Sequence, residues 1–418
     1  MKKIISVAPL ALLSLMAYNQ SSYNDITTEQ WAEDVTYLNK KIQKQFISFT
    51  PGIKDLFKEE VNTILSTLSE KRGYQAPCEI MRLLSKLNDG HTELNIGQKS
   101  VGFHRVPISL YVFKGDFRVI ASHESYSDIL GARVTSIGGH PINDVFDTLK
   151  SYMSHDNEQE FLHAGPGYII LTELLACMGI TSDPLNVSFE FEKEDGTMVT
   201  RSLDGLNRSD YSEGPWATLW SQNEVSTPLY LSNNSDNYWF TELNQAKVIY
   251  FHFASVNDQK GKPSIKKFSK ELFGRIDELK PEKFIIDLRM NTGGNYHLTD
   301  PIVEGILARP WLNQPGKVWV ITSRRTFSAA STFCIFLKQR TTAQIIGEAG
   351  RSHPNKSSNN EYMTLPNSGY LIEYTTKIKN KWPERPDLDR IPTDVEILPD
   401  FESYKIGSDV VMEYLLKE

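Results

Sequence analysis

The chain has 418 residues, which at about 150 residues per domain predicts two or three domains. Apolar residues make up 40% and charged residues 23%, a balance that excludes a wholly disordered or fibrous protein, and the net charge of −7 without a basic stripe argues against a nucleic-acid partner. Cys78, Cys177 and Cys334 lie far apart in sequence, so we predict buried small side chains, not a disulfide framework or a metal site.

The N-terminus has the pattern of a secretory signal peptide. Lys2 and Lys3 precede an almost uninterrupted apolar stretch over residues 4–17, and polar residues follow it. The apolar stretch is too short to span a bilayer comfortably. We therefore predict a signal peptide over residues 1–20, export to the periplasm or the medium, and no stable membrane insertion after its removal. The alternative is a buried N-terminal helix.

Residues 21–98 are predicted to form a helical region. Apolar side chains recur at steps of three and four along residues 31–46, 61–68 and 80–87. The last helix ends at a turn over residues 88–90, and His91 follows directly. Histidine titrates near neutral pH, so His91 is a candidate general base, although most of the nine histidines are expected to be structural.

Residues 99–206 are predicted to form a small β domain with a helical insertion near residues 157–178. Short β-like runs occur at residues 106–113, 117–121 and 187–191. From residue 207 to residue 418 the pattern changes to alternating strands and helices. The strands are near-continuous apolar runs, which is typical of a parallel sheet covered on both faces.

Two turns at the ends of the later strands carry candidate chemistry. Gly293 and Gly294 follow one strand, and adjacent glycines let backbone N–H groups approach a substrate oxygen closely. Ser328 lies at the start of the helix after the next strand, where the N–H of Ala329 has no helical partner and can stabilise an oxyanion. Taken singly, each segment is better explained structurally: the glycine pair as a plain strand-ending turn, and Ser328 as an ordinary helix cap.

Several segments together resemble the motifs of one family. In chain order they cover residues 89–92, 131–139, 287–294, 326–330, 347–350, 365–369 and 385–387. This combination is similar to the S41 family of serine peptidases, the tail-specific and tricorn-core-like group, over roughly residues 30–415. The resemblance implies an α/β fold with a crotonase-like (ClpP-like) catalytic core and parallel sheet, an N-terminal helical region and a PDZ-like small β domain. It also implies Ser328 as nucleophile, with Gly293, Gly294 and Ala329 around the oxyanion hole.

The resemblance leaves the general base open. Tail-specific members use a lysine about 25 residues after the serine, where this chain has His353, with Lys356 the nearest lysine. Tricorn-like members use a histidine at the position that matches His91, assisted by a distal acid. Asp387 falls near the position of that acid, with Glu384 and Asp389 close by. We favour His91 as base and Asp387 as acid. A histidine base predicts that kcat/KM rises with pH around a midpoint of ~6–7.5.

The sequence therefore predicts an exported serine peptidase that hydrolyses peptide bonds in a peptide or protein substrate. Neither a metal nor an organic cofactor is predicted, because no HExxH motif, P-loop, dinucleotide fingerprint or clustered Cys/His set occurs. Two alternatives stay open. One is a non-catalytic ligand- or peptide-binding protein on the same fold, and the other is an esterase or amidase with the same nucleophile.

Overall fold

The computed structural model describes most of the chain after the predicted signal peptide. The described residues are 23–47, 49, 51–71, 73–96, 102–222, 225–233, 235–245 and 247–417. The predicted signal peptide over residues 1–20 lies outside them. None of the helices in the described part combines the length and the apolar character that a bilayer crossing requires.

Three helices and a short strand open the described chain. They are α1 (Thr28–Gln45), α2 (Pro51–Thr67), α3 (Gln75–Ser85) and β1 (Glu93–Leu94). α1 begins with a capping box in which the side chains of Thr27 and Gln30 each bind the other residue's backbone N–H. Its buried stripe includes Trp31, Val35 and Leu38, the spacing of the predicted helix face. The predicted N-terminal helical region is thus confirmed.

A small antiparallel β domain follows. Its strands are β2 (Ile108–Phe113), β3 (Asp116–His123), β4 (Arg133–Ile137), β5 (His140–Pro141), β6 (Asn186–Glu192), β7 (Met198–Asp204) and β8 (Trp216–Thr218). Its helices are α4 (Ile142–Leu149), α5 (Glu158–Tyr168), α6 (Thr172–Cys177), α7 (Arg208–Glu213) and α8 (Leu219–Gln222). The sheet has the order β2-β3-β4-β6-β7, with β5 beside β4 and β8 beside β3. α5 and α6 form the predicted helical insertion.

The rest of the chain is built around a second sheet. Its strands and helices are α9 (Leu229–Ser232), β9 (Tyr238–Leu243), β10 (Val248–Phe253), α10 (Ile265–Leu279), β11 (Lys283–Asp287), α11 (Asp300–Leu307), β12 (Val318–Thr322), α12 (Ala329–Arg340), β13 (Gln344–Gly347), β14 (Ser357–Thr364), β15 (Leu371–Lys379), β16 (Val395–Glu396), α13 (Phe401–Lys405) and α14 (Val410–Lys417). The sheet order is β16-β13-β12-β11-β10-β9, and all neighbours run parallel except the edge strand β9.

Both faces of this second sheet are covered. Alternate residues of β11 belong to two different hydrophobic clusters: Phe284 and Ile286 pack with α10, α11 and α12, while Ile285 packs with α14. Since successive side chains of a strand point to opposite faces, helices on both sides explain why the strand sequences are continuous apolar runs. The predicted α/β core with a parallel sheet is confirmed.

The predicted domain boundaries need two corrections. The sequence places the residues of β8 in the predicted domain of residues 207–418, but β8 pairs with β3 in the small β domain. The hairpin of β14 and β15 pairs with β1, and its Tyr370 and Ile372 share one core with the N-terminal helices. Strand pairing joins segments that are distant in sequence, so composition along the chain does not reveal it.

The prediction that none of the cysteines forms a disulfide is wrong. Cys78 on α3 and Cys177 on α6 form a disulfide across a sequence separation of 99 residues, while Cys334 is free and buried as predicted. The spacing gave no indication of the bond because it depends on how α3 packs against α6. The bond links the N-terminal helical region to the insertion of the small β domain.

Removing this disulfide is expected to destabilise the protein. A crosslink that closes a loop of this length restricts the unfolded chain, so a Cys78→Ala/Cys177→Ala variant should lose about 2–4 kcal/mol of unfolding free energy. Denaturant unfolding of both proteins, with and without dithiothreitol, measures the effect. Dithiothreitol should weaken the parent protein and leave the double variant unchanged. Equal unfolding midpoints for the two proteins would contradict the prediction.

Candidate active site

Ser328 lies on the turn that joins β12 to α12. Its φ of 53° and ψ of −117° lie in a region that a residue with a side chain adopts only at an energetic cost. The backbone N–H of Ser328 donates a hydrogen bond to Ser352 Oγ at 2.7 Å. An ordinary helix cap accepts a hydrogen bond from the first turn of its helix. The Ser328 side chain makes no such hydrogen bond to α12. The strained turn therefore presents an uncommitted hydroxyl.

The Ser328 turn is tied to the turn that follows β11. Thr326 Oγ1 donates to the carbonyl oxygen of Leu288 at 2.9 Å, and the N–H of Phe327 donates to that of Asn291 at 3.1 Å. β11 and β12 are parallel neighbours, so their carboxyl ends meet at the same edge of the sheet. The two predicted turns are therefore adjacent in space.

The glycine pair approaches the serine more closely than another residue could. A Cβ on Gly293, whose φ is 114°, would lie 2.8 Å from Ser328 Cβ and 3.1 Å from the backbone nitrogen of Ala329. A Cβ on Gly294, whose φ is 134°, would lie 2.4 Å from the carbonyl oxygen of Val256. Both positions require glycine for space and for backbone conformation. Gly293 thus brings main chain against the nucleophile candidate, and Gly294 packs against Val256.

The backbone N–H groups of the site differ in availability. That of Gly293 donates to Asn291 Oδ1 at 2.9 Å, so it is already occupied. Within the described residues, the N–H of Gly294 donates no hydrogen bond, and neither does that of Ala329, the first residue of α12. Of the three residues predicted around the oxyanion hole, two therefore have a free donor, and the role of Gly293 is to allow the close approach.

His91 lies beside the Ser328 turn although it is far away in sequence. Its ring stacks on the ring of Phe327, with centroids 4.6 Å apart and planes 22° apart. Asp89 holds the histidine turn, because its Oδ1 accepts hydrogen bonds from the N–H of His91 at 2.9 Å and from Thr375 Oγ1 at 2.9 Å. The fold thus brings the end of the N-terminal helical region next to Ser328.

Burial dominates the electrostatics of His91. The ring is buried, and this lowers its pKa to about 4, although the negative charge of Asp89 opposes the shift. The positive charge of Arg351 lowers the pKa further. His91 is therefore neutral at pH 7 and able to accept a proton. If His91 is the base, kcat/KM is therefore expected to rise with pH around a midpoint near 4, and not around the ~6–7.5 expected for an ordinary histidine.

The two other candidate bases are engaged elsewhere. His353 is partly buried, and its Nδ1 accepts a hydrogen bond from the backbone N–H of Asn355 at 3.1 Å. Lys356 Nζ donates to the carbonyl oxygen of Asn88 at 3.4 Å. Within the described part of the chain, neither side chain stacks on the Ser328 turn as His91 does. The geometry therefore favours His91.

The acidic side chains do not form the predicted arrangement. Asp387 makes an ion pair with Arg385 at 2.9 Å, and both side chains are largely exposed. The structure gives Asp387 no contact with His91, whose Nδ1 is buried without a hydrogen-bond partner. The distal-acid assignment therefore needs correction, because Asp387 makes an exposed ion pair with Arg385 instead of the expected contact with His91. The described residues also contain no group of three or more His, Cys, Asp or Glu side chains that could hold a metal ion.

Two residues that the sequence analysis did not single out as functional support the site. Arg351 places its guanidinium carbon 4.0 Å from the ring centroid of Phe327, and its N–H donates to the carbonyl oxygen of Thr326 at 3.1 Å. Ser352 accepts the hydrogen bond from the N–H of Ser328. Both follow the motif over residues 347–350 directly, which is the signal that would have indicated them.

Comparisons with known proteins agree with this architecture. No family model and no curated protein matches the chain. Among solved structures, mature CPAF matches with a TM-score of 0.62 at 13% identity, over 93% of this chain and 96% of that chain. Mature CPAF complexed with lactacystin matches with a TM-score of 0.61 at 14% identity, over 93% and 97%. A photosystem II D1 C-terminal processing protease matches with a TM-score of 0.40 at 13% identity, over 92% and 99%. This chain therefore has the same fold as mature CPAF.

Proposed function

We propose that this protein is an exported serine peptidase in which Ser328 is the nucleophile and His91 the general base. The observation that carries the proposal is the position of Ser328: its hydroxyl makes no capping hydrogen bond, and it lies on a strained turn that contacts Gly293 and is followed by the free N–H of Ala329. A structural serine would gain nothing from this strain. A nucleophile gains an exposed hydroxyl and an adjacent oxyanion site.

The proposed reaction proceeds through an acyl-enzyme. Ser328 Oγ attacks the peptide carbonyl carbon while its proton passes to neutral His91, which then protonates the leaving amine. In the second half His91 takes a proton from water as the water attacks the acyl-enzyme carbonyl, the ester bond to Ser328 Oγ breaks, and His91 returns the proton to Ser328 Oγ as the carboxylic acid leaves. The ring of Phe327, the residue before Ser328, stacks on the imidazole and supports it.

The oxyanion hole is proposed to use two donors. The N–H groups of Gly294 and Ala329 point to no acceptor of the described chain, so they can bind the oxygen that becomes negative in the tetrahedral intermediate. The N-terminus of α12 adds its partial positive charge at Ala329. Asn291 assists indirectly, since it holds the turn through the N–H of Gly293 and the carbonyl oxygen of Phe253.

An extended peptide is the proposed substrate form. The sheet of the PDZ-like small β domain ends at β2 and β7, so its edges offer backbone groups to an added strand. Strand addition would deliver an unfolded segment of a protein toward the Ser328 turn.

Hydrolysis of peptides compared with simple esters tests the proposed activity. The purified chain should cleave an unstructured protein such as casein, and a fluorophosphonate should label it and stop the cleavage. An esterase would instead hydrolyse p-nitrophenyl esters and leave casein intact. Absence of both activities, together with no labelling, would favour a binding protein on the same fold.

Export is expected to remove roughly the first 20 residues. The lysines before a short apolar core predict a signal peptide, and the Cys78–Cys177 disulfide is typical of an oxidising compartment outside the cytoplasm. N-terminal sequencing of the protein recovered from the periplasm or medium checks this. Intact Met1 on soluble cytoplasmic protein would exclude processing.

A further inference from the structure

The segment that leads into α5 contacts the candidate site from two directions. It covers residues 154–160 and belongs to the small β domain. Ser154 Oγ donates to the carbonyl oxygen of Asp89 at 2.8 Å and so reaches the turn that carries the candidate base. Asn157 Nδ2 donates to the carbonyl oxygen of Arg351 at 2.9 Å and so reaches the loop that supports the candidate nucleophile. One short segment thus contacts the supports of both groups.

Asn157 uses its whole side-chain amide. The residue is 6% exposed, and its Oδ1 caps α5 by accepting a hydrogen bond from the N–H of Glu160 at 3.1 Å. Its Nδ2 donates one hydrogen to Arg351 and the other to the carbonyl oxygen of Asp389 at 2.8 Å. The three partners fix the orientation of the amide, because a backbone N–H requires the oxygen and the two carbonyl oxygens require the nitrogen.

Capping alone does not require asparagine at this position. Aspartate and serine cap helices about as well, because the cap needs only a side-chain oxygen. Either residue would lose both donations to the loops, and an aspartate would also place its negative charge against two carbonyl oxygens. The nitrogen of Asn157 is therefore the atom that the two loops require.

The loop held by Asn157 supports the strained turn from outside. The N–H of Arg351 donates to the carbonyl oxygen of Thr326 at 3.1 Å, and the next residue, Ser352, accepts the N–H of Ser328 at 2.7 Å. The φ of Ser328, 53°, is costly, and such a conformation persists only where surrounding contacts hold it. A shift of this loop would therefore release the serine from its strained conformation.

We propose that Asn157 is a positioning residue for the peptidase reaction: its amide holds the loop over residues 351–352, and that loop keeps Ser328 in the geometry of attack. This inference rests on the proposed function, in which Ser328 is the nucleophile. Asn157 acts through the loop and takes no part in proton transfer or oxyanion binding. Misplacing a reacting group by about 1 Å can cost about 10²-fold in rate, so loss of this support should lower kcat more than it changes KM.

Substitutions that keep the cap and remove the donor nitrogen test the proposal. Asn157→Ser and Asn157→Asp should both lower kcat and the second-order rate of fluorophosphonate labelling by about 10–100-fold, with KM changed by less than about threefold. Asn207→Ser is the matched control, because Asn207 caps α7 through the N–H of Asp210 and its Nδ2 donates to Asp210 Oδ2. The control should keep the parent rates. Parent rates in both Asn157 variants would overturn the proposal.

The time course of labelling separates poor positioning from poor folding. Asn157→Ser should label slowly but to the same final extent as the parent protein. Labelling at the parent rate to a reduced extent would indicate partial unfolding and would overturn the proposal. Hydrogen exchange gives a second readout: the N–H of Ser328 should exchange faster in Asn157→Ser because its acceptor Ser352 is released, while the amides of α10 should be unaffected.

The same measurements distinguish failure of this inference from failure of the proposed function. If the parent protein is active, and Asn157→Ser keeps its rates and its slow exchange at Ser328, the positioning role is wrong and the proposed function stands. If the parent protein neither cleaves peptides nor reacts with a fluorophosphonate, the proposed function is wrong, and the positioning role is overturned with it.

Discussion

Replacing Ser328 with alanine is expected to lower kcat for peptide hydrolysis by about 10⁴-fold or more while leaving the protein folded. The hydroxyl makes no capping hydrogen bond, so its loss should change the unfolding free energy by less than about 1 kcal/mol. Labelling by a fluorophosphonate should disappear together with turnover. Peptide cleavage, labelling and denaturant unfolding of the same preparation measure all three effects.

Two matched variants make the Ser328 experiment decisive. Ser328→Gly also removes the hydroxyl, but glycine adopts a positive φ without strain, so this variant should be inactive and about 1 kcal/mol more stable than Ser328→Ala. Ser331→Ala changes a buried serine of α12 whose Oγ lies 3.4 Å from the carbonyl oxygen of Thr326, and it should keep its labelling. Persistent labelling of Ser328→Ala would move the nucleophile elsewhere, with Ser331 the first candidate.

Replacing His91 with alanine is expected to reduce kcat/KM by about 10²–10⁴-fold, the usual contribution of a general base. In the parent protein, kcat/KM should rise with pH along a limb with its midpoint near 4, because burial lowers the pKa of His91 to about 4 and only the neutral ring accepts a proton. Initial rates from pH 3 to 8 on both proteins check this. His91→Ala should lose the limb as well as the rate.

Alanine variants of the other candidate bases provide the controls. His353→Ala should retain much of the activity, and Lys356→Ala nearly all of it, since both side chains contact residues outside the Ser328 turn. An alkaline limb that disappears in Lys356→Ala would identify a lysine base. A pH limb that is lost in His353→Ala and kept in His91→Ala would identify that histidine. Either result would contradict the assignment of His91.

The lowered pKa of His91 also predicts how folding stability depends on pH. The unfolded histidine binds a proton near pH 6.5, whereas the folded one does so only near pH 4. Between these values the unfolded state holds more protons, so acidification favours unfolding. The His91 contribution to stability is thus present above about pH 6.5 and lost progressively as the pH falls toward 4.

Patterns local in sequence predicted the architecture. Apolar steps of three and four predicted α1, α2 and α3, and continuous apolar runs predicted β11, β12 and β13, because each pattern records how one segment is covered. The two turns that carry the candidate site residues were also predicted from neighbouring residues in the sequence. Gly293 and Gly294 stand where a Cβ would collide with neighbouring atoms, and a helix start after a strand indicated Ser328.

The sequence by itself therefore determined the fold class, the helical and strand segments and the short list of residues from which a site can be built. Only the tertiary structure decided which residues meet. It brought His91, and not Lys356 or Asp387, against the Ser328 turn, and it joined Cys78 to Cys177. Packing decides which distant segments touch, how far burial lowers a pKa and whether a backbone N–H already has a hydrogen-bond acceptor. Packing is a property of the whole fold and not of any one segment.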